Sequence, residues 1–286
     1  MGGGVGGWSG RRGKCPSVAV CAGISSYVDG IGFGRPGRET VATASSQLSK
    51  REQSLCNGIS PWLSPLAMVV TQDVALKGFF GRLHVIGREH LPLSGPVLMA
   101  PTHRARWDAL MLPYAAGRRV SGRDCRFMVT LDEMKGIQGW FLHRLGCFPV
   151  NQLKPQTASL RFAVDLLEAG QQLVVFPEGR IMREPGPIRL MQGLSRLALL
   201  ASAHGLDVPV LPIGIAYGRA VPRFGDSAAL AFGPPLHVQG HGREAAKHFS
   251  EQLAAAMAAA EARALAVVGR SAAEGGFAAP VEFSNV

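Results

Sequence analysis

A histidine and an aspartate stand five positions apart in Ala100-Pro101-Thr102-His103-Arg104-Ala105-Arg106-Trp107-Asp108. When a carboxylate holds one imidazole nitrogen, it fixes the ring's tautomer and orientation. The other nitrogen is then placed to take a proton from a hydroxyl. Positions five apart on a regular helix point in different directions, since neighbours on one face are three or four apart. The pair therefore works only if His103 lies in a loop and Asp108 in the first turn of the following helix. An isolated pattern of this kind is more often a surface histidine beside an aspartate that suits a helix dipole. Its weight depends on what accompanies it.

A second stretch, Phe176-Pro177-Glu178-Gly179-Arg180, follows an apolar run. Gly179 lets the backbone approach an anion closely, and Arg180 offers a fork of donors suited to phosphate. Glu178 is placed to grip a hydroxyl or to fix that arginine. Arg104 and Arg106, beside the histidine, are either further anion contacts or a solvated helix edge.

The elements around these stretches alternate. Apolar runs over 82–87, 95–99, 126–130, 146–150, 172–176, 208–215 and 230–232 read as strands. Helical periodicity covers 105–116, 133–144, 156–169, 192–204 and 242–268. This alternation predicts an α/β fold, with a largely parallel or mixed sheet flanked by helices. Both chemical stretches then fall at strand carboxyl ends, where the loops of an open sheet line a crevice. Pro209 and Pro212 suggest that the 208–215 strand lies at an edge or carries a bulge.

Residues 1–57, rich in Gly and Ser, read as a disordered or targeting-like tail, and an organelle transit peptide has a similar composition. Residues 58–81 read as an amphipathic membrane-associating helix. Gln72, Asp73 and Lys77 interrupt the apolar run before it reaches the ~18–20 residues of a membrane span. Residues 82–270 form the catalytic domain, and 271–286 a loose tail.

The chain of 286 residues is 47% hydrophobic and carries a net charge of +10. The excess is concentrated over residues 101–161, where ten Lys and Arg face four Asp and Glu. A basic surface calls for an anionic partner. Aromatics at 7%, with no interleaving of basic and stacking residues, exclude a nucleic-acid surface in favour of an anionic lipid membrane or a phosphorylated substrate. The five cysteines lack a C-x-x-C pair, which argues against a zinc site or a disulfide framework.

Four blocks occur in order: His103-x4-Asp108, Gly146-Cys147-Phe148-Pro149-Val150, Phe176-Pro177-Glu178-Gly179-Arg180 and Val208-Pro209-Val210-Leu211-Pro212. Their order and spacing over about residues 59–240 resemble the glycerolipid acyltransferases typified by 1-acylglycerol-3-phosphate acyltransferase. The resemblance implies transfer of an acyl chain from acyl-CoA or acyl-carrier protein, the co-substrate, to a lysophospholipid hydroxyl. It implies no bound cofactor and no metal. His103 would be the general base oriented by Asp108, with no acyl-enzyme; Glu178, Gly179, Arg180, Arg104 and Arg106 would bind substrate. A peripheral membrane protein on the cytoplasmic side is the implied setting.

The chain departs from the family's pattern in places. Asn151-Gln152 stand where the family usually has Asp-Arg, Arg180-Ile181 where it has Thr-Arg, and Met191-Gln192 where a basic residue often precedes a glycine. If the acceptor is lysophosphatidic acid, Arg180, Arg183 or Arg189 must supply the missing charge. The alternatives are another lysolipid, a neutral alcohol, or a catalytically weak lipid-binding relative.

Overall fold

A computed structural model describes residues 59–151, 157–183 and 187–271. The tail reading over 1–57 lies outside these residues, as do Gln152 and all but Ser271 of the tail over 271–286. The sheet and the helix before it belong to one compact unit, Asn57–Val286.

Among the described residues seven strands form one sheet: β1 (Arg82–Ile86), β2 (Val97–Pro101), β3 (Cys125–Thr130), β4 (Phe148–Val150), β5 (Gln172–Val174), β6 (Val210–Tyr217) and β7 (Ser227–Phe232). Their spatial order is β1-β7-β6-β2-β5-β3-β4. Every pairing is parallel except β6 with β7. This is the α/β arrangement expected from the alternation of elements.

Before the sheet, α1 (Leu63–Met68) continues as a π-helical stretch, Val69–Leu76, into the single turn of α2 (Lys77–Phe79). Between and after the strands come α3 (Asp108–Ala116), α4 (Arg118–Ser121), α5 (Gly136–Arg144), α6 (Thr157–Glu168), α7 (Gly193–Ala203) and α8 (Gly242–Val267).

Strand β6 corrects the reading of its prolines. It is not an edge strand. It lies between β7 and β2 and is buried throughout. The Pro212 carbonyl accepts from Gly233 N at 2.8 Å, just past the end of the β7 ladder. The missing N–H therefore faces the side where pairing has stopped, and an interior proline is tolerated there.

The period of two along β6 divides the core. Leu211, Ile213, Ile215 and Tyr217 face the layer of α3 and the π-helical stretch, with Leu76, Phe80, Met111 and Leu112. Ala216, with Ala229 and Ala231 of β7, meets Ala264 and Leu265 of α8 instead. Gly214 permits the closest contact on that side: a Cβ there would lie 2.1 Å from the Glu261 amide nitrogen. Along α8, Phe249, Leu253 and Met257 are buried. Burial of such side chains stabilises by about 1.5–3 kcal/mol each. That contact brings Glu261 against the sheet.

Candidate functional site

Because β2 pairs in parallel with both β5 and β6, the loops after β2 and β5 leave the same end of the sheet side by side. The loop after β2 begins with a buried Thr102. Its amide donates to Ile213 O at 2.9 Å, and its Oγ1 accepts from Ile215 N at 2.9 Å. His103 follows in the loop, and Asp108 opens α3, as the spacing required.

His103 Nδ1 lies 2.8 Å from Asp108 Oδ2. That same oxygen accepts the Arg104 amide at 2.6 Å and the Ala105 amide at 2.9 Å. The other carboxylate oxygen, Oδ1, accepts the Tyr217 hydroxyl at 2.5 Å. Asp108 is fully buried, so these four donors stand where water would otherwise satisfy its charge. Burial first, then the Asp108 charge and the hydrogen bond to it, push the Tyr217 phenol well above its ordinary pKa. The hydroxyl therefore stays protonated and donating.

The His103 ring stacks on Phe176, with centroids 4.2 Å apart. Its side chain is 19% exposed, and Nε2 has no hydrogen-bond partner among the described residues. An imidazole held at Nδ1 by a carboxylate and open at Nε2 is competent as a base.

Glu178 reaches this loop from the end of β5. Its Oε1 accepts the His103 amide at 2.9 Å, and both its oxygens lie 2.9 Å from Arg104 Nη1. On its other side the Arg104 guanidinium bonds Glu261 through Nε and, at 2.9 Å, through Nη2. Nη1 also reaches the carbonyls of His103 and Met182. These contacts correct the expectation that Arg104 is a substrate contact or a solvated edge, because its donors already serve two carboxylates. Glu178 fixes Arg104, not Arg180. Burial pulls Arg104 down, but its hydrogen bonds and charge pairing with Glu261 and Glu178 more than reverse this and hold it above the ordinary arginine value. Burial holds the Glu261 carboxyl above its usual range against the pull of Arg104.

Gly179 adopts φ +71°, the left-handed turn that glycine takes without strain, and its amide donates to Phe176 O at 3.1 Å. The chain then passes back over the histidine loop, where Met182 N donates to His103 O at 2.8 Å. Arg106, Arg180, Arg183 and Arg189 are exposed and form no ion pair among the described residues. The structure thus joins His103, Asp108, Glu178 and Arg104 in one bonded set, and leaves Arg106 and Arg180 at its solvent-facing rim.

Among the described residues, the two cysteines and Ser195 are buried away from solvent. Cys125 and Cys147 are buried thiols pushed up to about 12 by burial. Ser195 is buried on α7 and shares a 2.7 Å hydrogen bond with Ser250 of α8. Among the described residues no group of three or more His, Cys, Asp or Glu is placed to hold a metal ion.

Tyr217 and Glu261 escaped the reading from sequence, although both left a trace. Tyr217 continues the inward alternation of β6. Glu261 lies four residues beyond Met257, a charge on the apolar stripe of an alanine-rich helix.

The acyltransferase family model matches residues 82–216. A 1-acyl-sn-glycerol-3-phosphate acyltransferase of Bacillus subtilis is 28% identical over 159 residues, covering 55% of this chain and 75% of that relative. A crystal structure of the 1-acyl-sn-glycerophosphate acyltransferase of Thermotoga maritima covers 76% of this chain and 90% of its own, with a TM-score of 0.47 and 18% sequence identity.

Proposed function

We propose that this chain, whose residues 82–216 match the acyltransferase family model and which resembles the 1-acylglycerol-3-phosphate acyltransferases, is an O-acyltransferase that acylates a lysophospholipid, with His103 as general base. The observation that carries the proposal is the His103 imidazole, held at Nδ1 by a fully buried carboxylate and left open at Nε2.

In this reading Nε2 takes the proton of the acceptor hydroxyl as the oxygen attacks the thioester carbonyl of acyl-CoA or acyl-carrier protein. The C–O bond forms, and the tetrahedral intermediate collapses with loss of the C–S bond. The imidazolium returns its proton to the departing thiolate. Asp108 keeps one tautomer in place before the transfer and offsets the imidazolium charge during it. No acyl-enzyme is formed.

The favoured acceptor is 1-acylglycerol-3-phosphate, giving phosphatidic acid. Gln152 stands where the family usually carries an arginine, so the phosphate falls to the exposed guanidinia of Arg106, Arg180, Arg183 and Arg189 at the rim. Gly179 turns the backbone so that Arg180 reaches outward from the end of β5. The site would work at an anionic membrane surface as a peripheral protein on the cytoplasmic side, approached through the outward apolar residues of α1.

The test is transfer of a labelled acyl chain from acyl-CoA and from acyl-carrier protein to a panel of lysolipids. The reading expects phosphatidic acid as the main product, with the KM for lysophosphatidic acid raised several-fold in Arg180→Ala. Preference for an uncharged acceptor would overturn the assignment of the acceptor, and no transfer to any acceptor would overturn the reaction.

A further inference from the structure

Two helical segments among the described residues turn several large apolar side chains outward while burying small or polar ones. From Pro61 to the end of the π-helical stretch, Leu76 packs into the core and Ser64 and Gln72 are also buried, while Trp62, Leu66, Val69, Val70 and Val74 face out, Trp62 at 88% exposure. Helix α5 buries only Gly139 and turns Ile137, Trp140 and Phe141 outward at helical spacing, Ile137 at 78% exposure. Their ends are tied together, since Ser60 N, just before the first segment, donates to Arg144 O of α5 at 2.8 Å. A water-facing surface rarely gathers so many large apolar side chains. No helix among the described residues is long and apolar enough to cross a membrane.

We propose that α5 is a second lipid-contacting element, which lies in the interface of an anionic bilayer beside α1. Charge decides between a bilayer and a second copy of this chain as the occupant. The surrounding segment, residues 101–161, carries ten Lys and Arg against four Asp and Glu. Lys135, paired with Asp132 at 2.5 Å, and Arg144 bracket the helix. A second copy would present the same positive charge to itself, whereas anionic headgroups complement it. Within α5 the Arg144 guanidinium lies over the Trp140 ring, 3.9 Å from its centroid. An apolar ring below a cationic head suits the boundary between acyl chains and headgroups. The choice of a lipid surface leans on the proposed lysophospholipid acceptor, but the test reads binding and not turnover.

Full-length protein is sedimented with vesicles of phosphatidylcholine alone and of phosphatidylcholine mixed with phosphatidylglycerol, alongside the triple variant Ile137→Ser, Trp140→Ser, Phe141→Ser. These side chains are exposed, so the variant should keep the wild-type circular dichroism and melting profile. The inference expects wild type to bind the mixed vesicles preferentially and the triple variant to lose at least about tenfold in partition. Trp140 is checked separately with bromine-labelled acyl chains, which should quench wild type more than Trp140→Phe. Unchanged partition in the folded triple variant, or equal quenching in the two proteins, overturns the inference. So does a lipid-free wild-type dimer that the triple variant turns into monomer. A wild type that binds through α5 yet transfers no acyl group supports it and sinks the catalytic reading instead.

Discussion

The Tyr217 hydroxyl donates to Asp108 Oδ1 at 2.5 Å across 109 residues of sequence. The opposite oxygen of that carboxylate receives His103 and two loop amides. Asp108 is therefore gripped from both sides, by its own loop and by the end of β6. Phe80 stacks on the Tyr217 ring with centroids 5.5 Å apart, and Phe79 stacks on Trp107 at 4.4 Å. The helix before the sheet thus buttresses the residues that hold the site.

Tyr217→Phe keeps that stacking and removes one donor from the buried carboxylate. A hydrogen bond to a charged group contributes about 1.5–3 kcal/mol. With less to satisfy it, Asp108 becomes a stronger partner for imidazolium, and the unprotonated base is scarcer at low pH. The acid limb of the kcat/KM profile should move to higher pH by up to about one unit. A profile that drops in height without moving would reduce Tyr217 to a packing role.

Glu261 acts on the site through Arg104, from a helix beyond the family-matched segment. Glu261→Ala leaves a buried guanidinium with one of its two carboxylates, and breaking such a pair costs about 3–5 kcal/mol. The unfolding midpoint should fall by on the order of 10 °C. Below that midpoint kcat should fall more than KM rises, because the displaced loop is the one that carries the base. Thermal denaturation paired with steady-state kinetics checks both, and wild-type values would remove the clamp from the account.

Much of this arrangement was legible in the chain. Strands and helices followed their periods of two and 3.6, and the five-residue spacing of His103 and Asp108 admitted only a loop-to-helix handover. Other parts depended on tertiary position. Whether Arg104 faces solvent or two carboxylates is decided by where α8 crosses β6, which in turn depends on Gly214 admitting the helix backbone. Pro212 signals an edge locally, yet sits in a central strand because β7 ends one residue short of it. The outward apolar face of α5 was invisible for a similar reason: spacing shows that Ile137, Trp140 and Phe141 share a face, but not which way that face points.

Asp73 ties the π-helical stretch to α4, with Arg119 Nη2 at 2.7 Å and Lys77 Nζ at 2.9 Å. Hydrogen bonds from Arg119 and then Lys77 hold its carboxyl well below the usual range. A depressed value means that the contribution is present above the ordinary carboxylate pKa and is lost as pH falls through the folded one. The melting temperature of Asp73→Asn should therefore lie slightly below wild type at pH 6–8, on the order of a few degrees at most for a surface pair. The gap should narrow only below about pH 4, and salt should shrink it. A gap independent of both pH and salt would assign it to something other than this pair.

Acyl transfer by His103→Ala, measured under single-turnover conditions with saturating donor and the preferred lysolipid, bears most directly on the central claim. General-base catalysis by a positioned side chain contributes roughly 10²–10⁴-fold. The variant should fold as wild type does and bind its donor with unchanged affinity. Its transfer rate should be lower by a factor in that range. A rate within about threefold of wild type would contradict the account and take the proton-accepting role away from His103.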